Sequence, residues 1–128
     1  DCITPRAGSC AFYADCAEKE LKCGSSGYPV RYGQKNCLAF SKNIDFFTPA
    51  GRDFVWATMS CLQRFLSPLI RECSETCDSL RTKAFASHPS CYTDSGFCGL
   101  GCGDIIVLLA IVNKDLLESG TQIWDTGK

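Results

Sequence analysis

Residues 48–77 read TPAGRDFVWATMSCLQRFLSPLIRECSETC, and this stretch decides the fold. Thr48 followed by Pro49 is a good helix start, because threonine caps the first turn and proline lacks only an N–H that would have no partner there. Beyond this start, apolar residues recur every three or four positions and define a core-facing side: Val55, Met59, Leu62, Leu66, Leu69, Cys73 and Cys77. Pro68 interrupts the pattern, so we expect a kink or break at 64–67.

The residues before this stretch are predicted to be mostly helical as well. Mixed apolar and charged residues indicate a short amphipathic helix at 11–23, and a second helix is expected at 34–47. Glycine, serine and proline at 24–29 indicate a loop between them. Strand signals are few, and the best of them is confined to 28–32.

The C-terminal part contains the most apolar segment of the chain. A last helix is expected at 104–119, with Asp104 as N-cap and Gly120 as terminator. Its first two turns, 105–112, are apolar on every side, so the helix needs burial in its own domain or against a partner. Eight apolar residues are too few to cross a bilayer, so no transmembrane segment is expected. We therefore predict an all-α, disulfide-rich single domain over 1–128 with four to five helices.

Cysteine content indicates the compartment. Eleven cysteines in 128 residues are typical of a secreted protein with disulfide bonds, and the odd number leaves at least one thiol for another molecule. The start at Asp1-Cys2 is interpreted as a mature N-terminus after removal of a signal peptide. Lys and Arg total 13 against 14 Asp and Glu, without a run of either sign, so nucleic acid is not an expected partner.

The spacing of the later cysteines is specific. From Cys37 through Cys61, Cys77 and Cys91 to Cys98, the successive intervals are 23, 15, 13 and 6 residues, and the additional Cys73 stands inside the second interval. This series resembles the core of the stanniocalcins, a family of secreted helical glycoprotein hormones. The segments Phe46-Phe47-Thr48, Gly51-Arg52-Asp53-Phe54-Val55, Cys91-Tyr92 and Ser9-Cys10-Ala11-Phe12 are also similar to family segments. The resemblance covers about residues 2–98.

The resemblance implies a disulfide framework that spacing alone does not select. The implied bonds are Cys2 with Cys16, Cys10 with Cys37, Cys23 with Cys77, and Cys61 with Cys91. In the family, the counterpart of Cys98 bonds a downstream cysteine for which this sequence has no match.

Three cysteines, Cys73, Cys98 and Cys102, are left after these pairs. Cys73 has no counterpart in the family, so the resemblance implies a compensating bond from Cys73 to Cys98. Cys73 also precedes Cys77 by one helical turn and points to the same side. Cys102 is then the odd thiol, beside the apolar helix. A bond from Cys73 to Cys102, with Cys98 left over, is the main alternative.

A disulfide-linked homodimer would use both the odd thiol and the apolar helix. The expected interface residues are Ile105, Ile106, Leu108, Leu109 and Val112. The family also forms disulfide-linked homodimers through a cysteine near its C-terminal end, at a position that does not align.

The resemblance implies a secreted regulator that acts through protein contacts. Stanniocalcins are associated with extracellular calcium and phosphate regulation and with inhibition of a secreted zinc metalloproteinase that processes growth-factor binding proteins. An extracellular receptor or protease is therefore the expected partner. The alternatives are a secreted toxin or defence protein, or a carrier of apolar ligands, on the same kind of scaffold.

Catalytic, metal and cofactor sites are not expected. His88 is the only histidine, and His88-Pro89 is interpreted as a loop feature. A secreted His-Asp phospholipase would require aspartate where Pro89 stands. A zinc site built from Cys73, Cys77, Cys98 and Cys102 is disfavoured, because the spacing is loose and an oxidising compartment favours disulfides.

Overall fold

The computed structural model describes residues 2–119, with side chains up to residue 112. Within these residues there are five helices and no strand. The helices are α1 (π-helical Tyr13–Glu18 continued by Lys19–Leu21), α2 (π-helical Pro29–Gln34 continued by Lys35–Lys42), α3 (Pro49–Arg71), α4 (Cys77–Asp94) and α5 (Cys102–Ser119). The predicted all-α, disulfide-rich fold is confirmed for this part of the chain. The predicted terminator Gly120 lies outside it.

Helices α3 and α4 pack on each other, α1 packs on α2, and α5 contacts α2. One cluster of buried apolar side chains connects all five helices, from Tyr13 in α1 to Leu108 in α5. The helices therefore share a single core.

Helix α3 begins as the sequence predicts but does not break where the sequence predicts. The Thr48 hydroxyl accepts a hydrogen bond from the Gly51 N–H, and Pro49 is the first helical residue. The helix then runs through Pro68 to Arg71, so the expected break at 64–67 is wrong. Pro68 removes one backbone hydrogen bond, to the Arg64 carbonyl, and burial of the neighbouring Leu66 and Ile70 offsets this loss. The chain turns at Cys73 instead, which has a left-handed φ of 57°.

Helix α4 includes a segment that the sequence assigns to a loop. Thr76 and Ser79 form a reciprocal capping box at its start. His88 and Pro89 lie inside the helix, because Ala84, His88 and Cys91 on one face are buried against the core. This burial outweighs the local preference of proline for a helix end.

Residues 28–32, which carry the best of the few strand signals, enter the π-helical start of α2. Tyr28 and Tyr32 are one helical turn apart, both buried, and their rings stack with centroids 6.0 Å apart. Gly33 lies directly against the Tyr13 ring, where an added Cβ would be 2.3 Å from a ring carbon. Gly33 thus allows α1 and α2 to approach closely, while the rings of Tyr28 and Tyr32 both meet the ring of Phe85 in α4 edge to face.

Four disulfides cross-link the first four helices and the segment before them. They join Cys2 with Cys16, Cys10 with Cys37, Cys23 with Cys77, and Cys61 with Cys91. These are the same pairs that the stanniocalcin resemblance implies.

Polar side chains of α3 also hold the N-terminal segment. The Gln63 amide donates to the Ser9 carbonyl over 2.8 Å, and the Ser67 hydroxyl contacts the carbonyls of Cys2 and Ile3. Both side chains are buried. They supply partners for backbone carbonyls that would otherwise lose hydration against the helix.

Candidate functional site

Helix α5 is held at its start by a buried carboxylate. Asp104 is 3% exposed, and its side chain accepts hydrogen bonds from the backbone N–H of Thr48, over 2.8 Å, and from the Thr48 hydroxyl. Gly51 leaves room for this carboxylate, since a Cβ there would lie 2.5 Å from Asp104 Cγ. Asp104, the expected N-cap of α5, therefore lies in the first turn of α5. Together with Thr48 it caps the start of α3. The N-terminal end of α3 also favours the negative charge.

This attachment divides α5 into two faces. Leu108 follows Asp104 by one helical turn and is 4% exposed in the core, with Val107 and Ile111 partly buried beside it. The prediction of Leu108 as an interface residue is therefore wrong, because the Asp104 contact directs this face inward.

The opposite face of α5 is exposed and apolar. Ile106 is 67% exposed and Leu109 is 51% exposed, and Cys102 lies on the same face one turn earlier. We call Cys102, Ile106 and Leu109 the α5 stripe. The predicted interface residues Ile105 and Val112 are partly buried at its flanks. A helix expected to be buried all round is thus covered on one side only.

The three remaining cysteines are free thiols and are exposed. The expected Cys73–Cys98 bond is absent, and so is the alternative Cys73–Cys102 bond. Cys73 precedes α4, whereas the other two cysteines follow it, and an 18-residue helix is about 27 Å long. A disulfide requires Cα atoms within about 7 Å, so neither bond fits the fold.

Cys73 also differs from its expected setting. It lies in the turn after α3, not on a helix face in line with Cys77. Its thiol is 3.5 Å from Glu20 Oε1 in α1. The hydrogen bond to this carboxylate, with the negative charge beside it, raises the pKa of Cys73 above its ordinary value.

A cavity of about 250 Å³ lies between α2, α3, α4 and α5. Its walls are mainly aromatic and aliphatic, and include Tyr28, Tyr32, Phe40, Phe54, Met59 and Tyr92. Leu109 of the α5 stripe lines the cavity and is half exposed, so the cavity reaches the surface beside α5.

The cavity wall includes polar side chains such as Asn36 and Thr93, and two further polar features of the wall are unusual. The Tyr28 hydroxyl is 3.4 Å from His88 Nε2, and burial lowers the pKa of His88 to about 4, so its imidazole is neutral at pH 7. Thr58 is 6% exposed, and its Oγ1 is buried without a hydrogen-bond partner among the residues that the structure describes. Buried hydroxyls normally have a partner, so Thr58 is an unusual wall residue.

The cavity is not predicted from the sequence, although Tyr28 and Tyr32 on its wall show helical spacing within the segment that carries the best of the few strand signals. The cavity is formed where four helices meet, and the relative position of helices is not contained in a local pattern.

No match to this chain was found in comparisons with protein-family models, curated proteins or solved structures. The fold and its bonds define the class, an all-α protein stabilised by disulfides. Four disulfides are consistent with an extracellular protein. None of the helices in residues 2–119 has the length and apolarity required to span a membrane.

Proposed function

We propose that this protein is a secreted, stanniocalcin-like regulator that acts through protein contacts as a disulfide-linked homodimer. The observation that carries the proposal is the α5 stripe, which places an exposed thiol and two exposed apolar side chains on one helix face. Exposed apolar side chains next to one another on a helix are typical of an interaction surface.

The geometry of the α5 stripe favours one arrangement of the dimer. Cys102, Ile106 and Leu109 are separated by four and three residues, the spacing of a coiled-coil seam. A bond between the two Cys102 residues brings the helix starts together. If the two α5 helices then run parallel, Ile106 and Leu109 meet their own copies, whereas antiparallel helices would diverge from the bond. The proposed dimer is therefore parallel and two-fold symmetric at α5.

The regulatory role rests on the resemblance to the stanniocalcins, supported by the disulfide pairs that the family implies. His88 adds support for a role in contacts rather than catalysis, because it is buried between aromatic rings and holds a lowered pKa. An accessible general base would need a pKa closer to the working pH. The proposed partner is an extracellular receptor or a secreted metalloproteinase.

The dimer is tested by electrophoresis without reductant and by light scattering. The oxidised protein should run as a dimer that reductant converts to monomer. Cys102→Ser should abolish the covalent dimer, whereas Cys98→Ser, a matched removal of an exposed thiol, should retain it. Ile106→Ser in the Cys102→Ser background should weaken the remaining non-covalent association further. A monomeric wild type, or a dimer that depends on Cys98, would contradict the proposed arrangement.

The regulatory role is tested by titrating wild type and the Cys102→Ser/Ile106→Ser variant against a secreted zinc metalloproteinase that cleaves a growth-factor binding protein. We expect dose-dependent inhibition by the dimer and weaker inhibition by the monomeric variant. Reduced and alkylated protein serves as the unfolded control. Leakage of liposomes by the pure protein, without inhibition of the protease, would instead support the toxin or defence function.

A further inference from the structure

The cavity beneath α5 has the size of a ligand site. An apolar cavity of about 150 Å³ in another protein is known to bind benzene, so the cavity of about 250 Å³ found here has room for a larger, fused-ring molecule. Ligand pockets in proteins are commonly apolar clefts with a few polar groups that fix orientation. The aromatic walls and the buried Thr58 match this description.

The walls also restrict the charge of a ligand. None of the side chains that line the cavity belongs to Asp, Glu, Lys or Arg. The imidazole of His88 is neutral at pH 7. A charged ligand would lose its hydration here without a compensating charge, which is strongly unfavourable.

Thr58 supplies the polar contact that a ligand would meet. Thr58 lines the cavity, and its Oγ1 is buried without a partner within the described part of the chain. The hydroxyls of other threonines in the helices do have partners, such as that of Thr82, which donates to the Asp78 carbonyl over 3.1 Å. Threonine in a helix has two accessible χ1 rotamers, so the Thr58 side chain would turn its hydroxyl toward a ligand hydroxyl and gain the hydrogen bond that it lacks.

We propose that the cavity binds a small, uncharged aromatic alcohol, with its ring system between the tyrosine and phenylalanine side chains and its hydroxyl bonded to Thr58. The cavity shares Leu109 with the α5 stripe, but Cys102 does not line it. A monomeric Cys102→Ser protein should therefore bind the ligand as well, so loss of the dimer and loss of the ligand site are distinguishable.

The single methionine of the chain provides the readout. Met59 lines the cavity and is 5% exposed, so its methyl resonance in NMR reports on the interior and not on the α5 surface. Wild type should show a saturable shift of this resonance with 1-naphthol. 1-Naphthoate, of similar shape but charged, should give no such shift. The absence of a saturable shift with 1-naphthol, or an equal response to 1-naphthoate, would overturn the proposal.

The role of Thr58 is tested with the ratio of affinities for 1-naphthol and 1-methylnaphthalene, which differ by a hydroxyl in place of a methyl. Thr58→Val should lower the ratio of the affinity for 1-naphthol to that for 1-methylnaphthalene by a factor of several, up to about ten. The affinity for 1-methylnaphthalene itself should stay unchanged. The variant should fold, since it replaces an unpartnered buried hydroxyl by a methyl of similar size. Thr82→Val on the exposed side of α4 is the matched control and should leave the ratio unchanged. An unchanged ratio in Thr58→Val would refute the proposed hydrogen bond.

Discussion

Helices α1 to α4 and helix α5 are attached to the molecule in different ways. Each of the first four helices contains a cysteine that takes part in a disulfide. The widest sequence separation between two bonded cysteines is 54 residues. No disulfide holds α5. It is attached by one apolar face and by the contact between Asp104 and Thr48.

The difference shows that apolar sequence does not by itself decide burial. Residues 105–112 are the most continuously apolar segment of the chain, yet Ile106 and Leu109 are exposed. The less apolar α3 buries its stripe because α4 covers it and Cys61 is bonded to Cys91. The stripe of α3 is thus covered within the linked region, whereas α5 has one apolar face that the rest of the described chain leaves exposed.

Removal of a disulfide from the linked region should have the largest effect. Replacement of Cys61 and Cys91 by Ala should lower the free energy of unfolding by about 3 to 4 kcal/mol, because their bond limits a loop of 30 residues in the unfolded chain. The measurement is denaturant unfolding followed by circular dichroism. The matched control is Cys98→Ala with Cys102→Ala, which removes two free thiols and should leave monomer stability nearly unchanged. Equal losses in both variants would remove the distinction between the two regions.

Loosening the contact at Asp104 should affect α5 alone. Asp104→Asn should cost about 1.5 to 3 kcal/mol, since hydrogen bonds to a charged group are lost or replaced by weaker ones. Hydrogen exchange should speed up in α5 while the amides at the centre of α3 stay protected. Gly51→Ala, which intrudes on the same carboxylate, should act in the same direction.

Asp53→Asn is the matched control for this experiment. Asp53 is an exposed carboxylate on α3 and its replacement should leave α5 exchange unchanged. Faster exchange throughout the molecule in Asp104→Asn would show that α5 belongs to the same cooperative unit as α1 to α4.

The smallest effect is expected in the reactivity of the free thiols, Cys73 after α3 and Cys98 before α5. At pH 7 to 8, Cys73 should react with iodoacetamide more slowly than Cys98 in a Cys102→Ser background. The Glu20 hydrogen bond and charge raise the pKa of Cys73, which reduces its thiolate fraction. Glu20→Gln should speed Cys73 labelling a few-fold, measured by peptide mass spectrometry, while Cys98 in the same sample serves as the internal control. Unaltered labelling of Cys73 in Glu20→Gln would contradict the role of this carboxylate.

The parts of the fold that depend on neighbouring residues were predictable. Thr48 and Pro49 start α3 as expected, because capping and proline geometry act within one turn. The helical periodicity gave the all-α class, and Val55, Met59 and Leu66 are buried as predicted.

The errors fall where tertiary packing opposes a local preference. Pro89 remains inside α4 because the residues around it bury one face against the core. Tyr28 and Tyr32 are β-forming residue types, the best of the few strand signals, and they stack within a helix. The burial of several side chains outweighs about 3 kcal/mol for proline inside a helix and about 1 kcal/mol of β propensity for the tyrosines.

The sequence by itself determined the helical class, the start of α3 and the presence of at least one cysteine that cannot pair within the chain. These follow from spacing and number. Only the tertiary structure decided that Cys73 lies at the opposite end of α4 from Cys98 and Cys102, that Leu108 faces the core, and that an aromatic cavity borders Thr58. The physical reason is the distance along the chain over which each feature is determined. Helix periodicity is set by contacts three or four residues apart. Thiol distances and cavities depend on how helices about 27 Å long pack together.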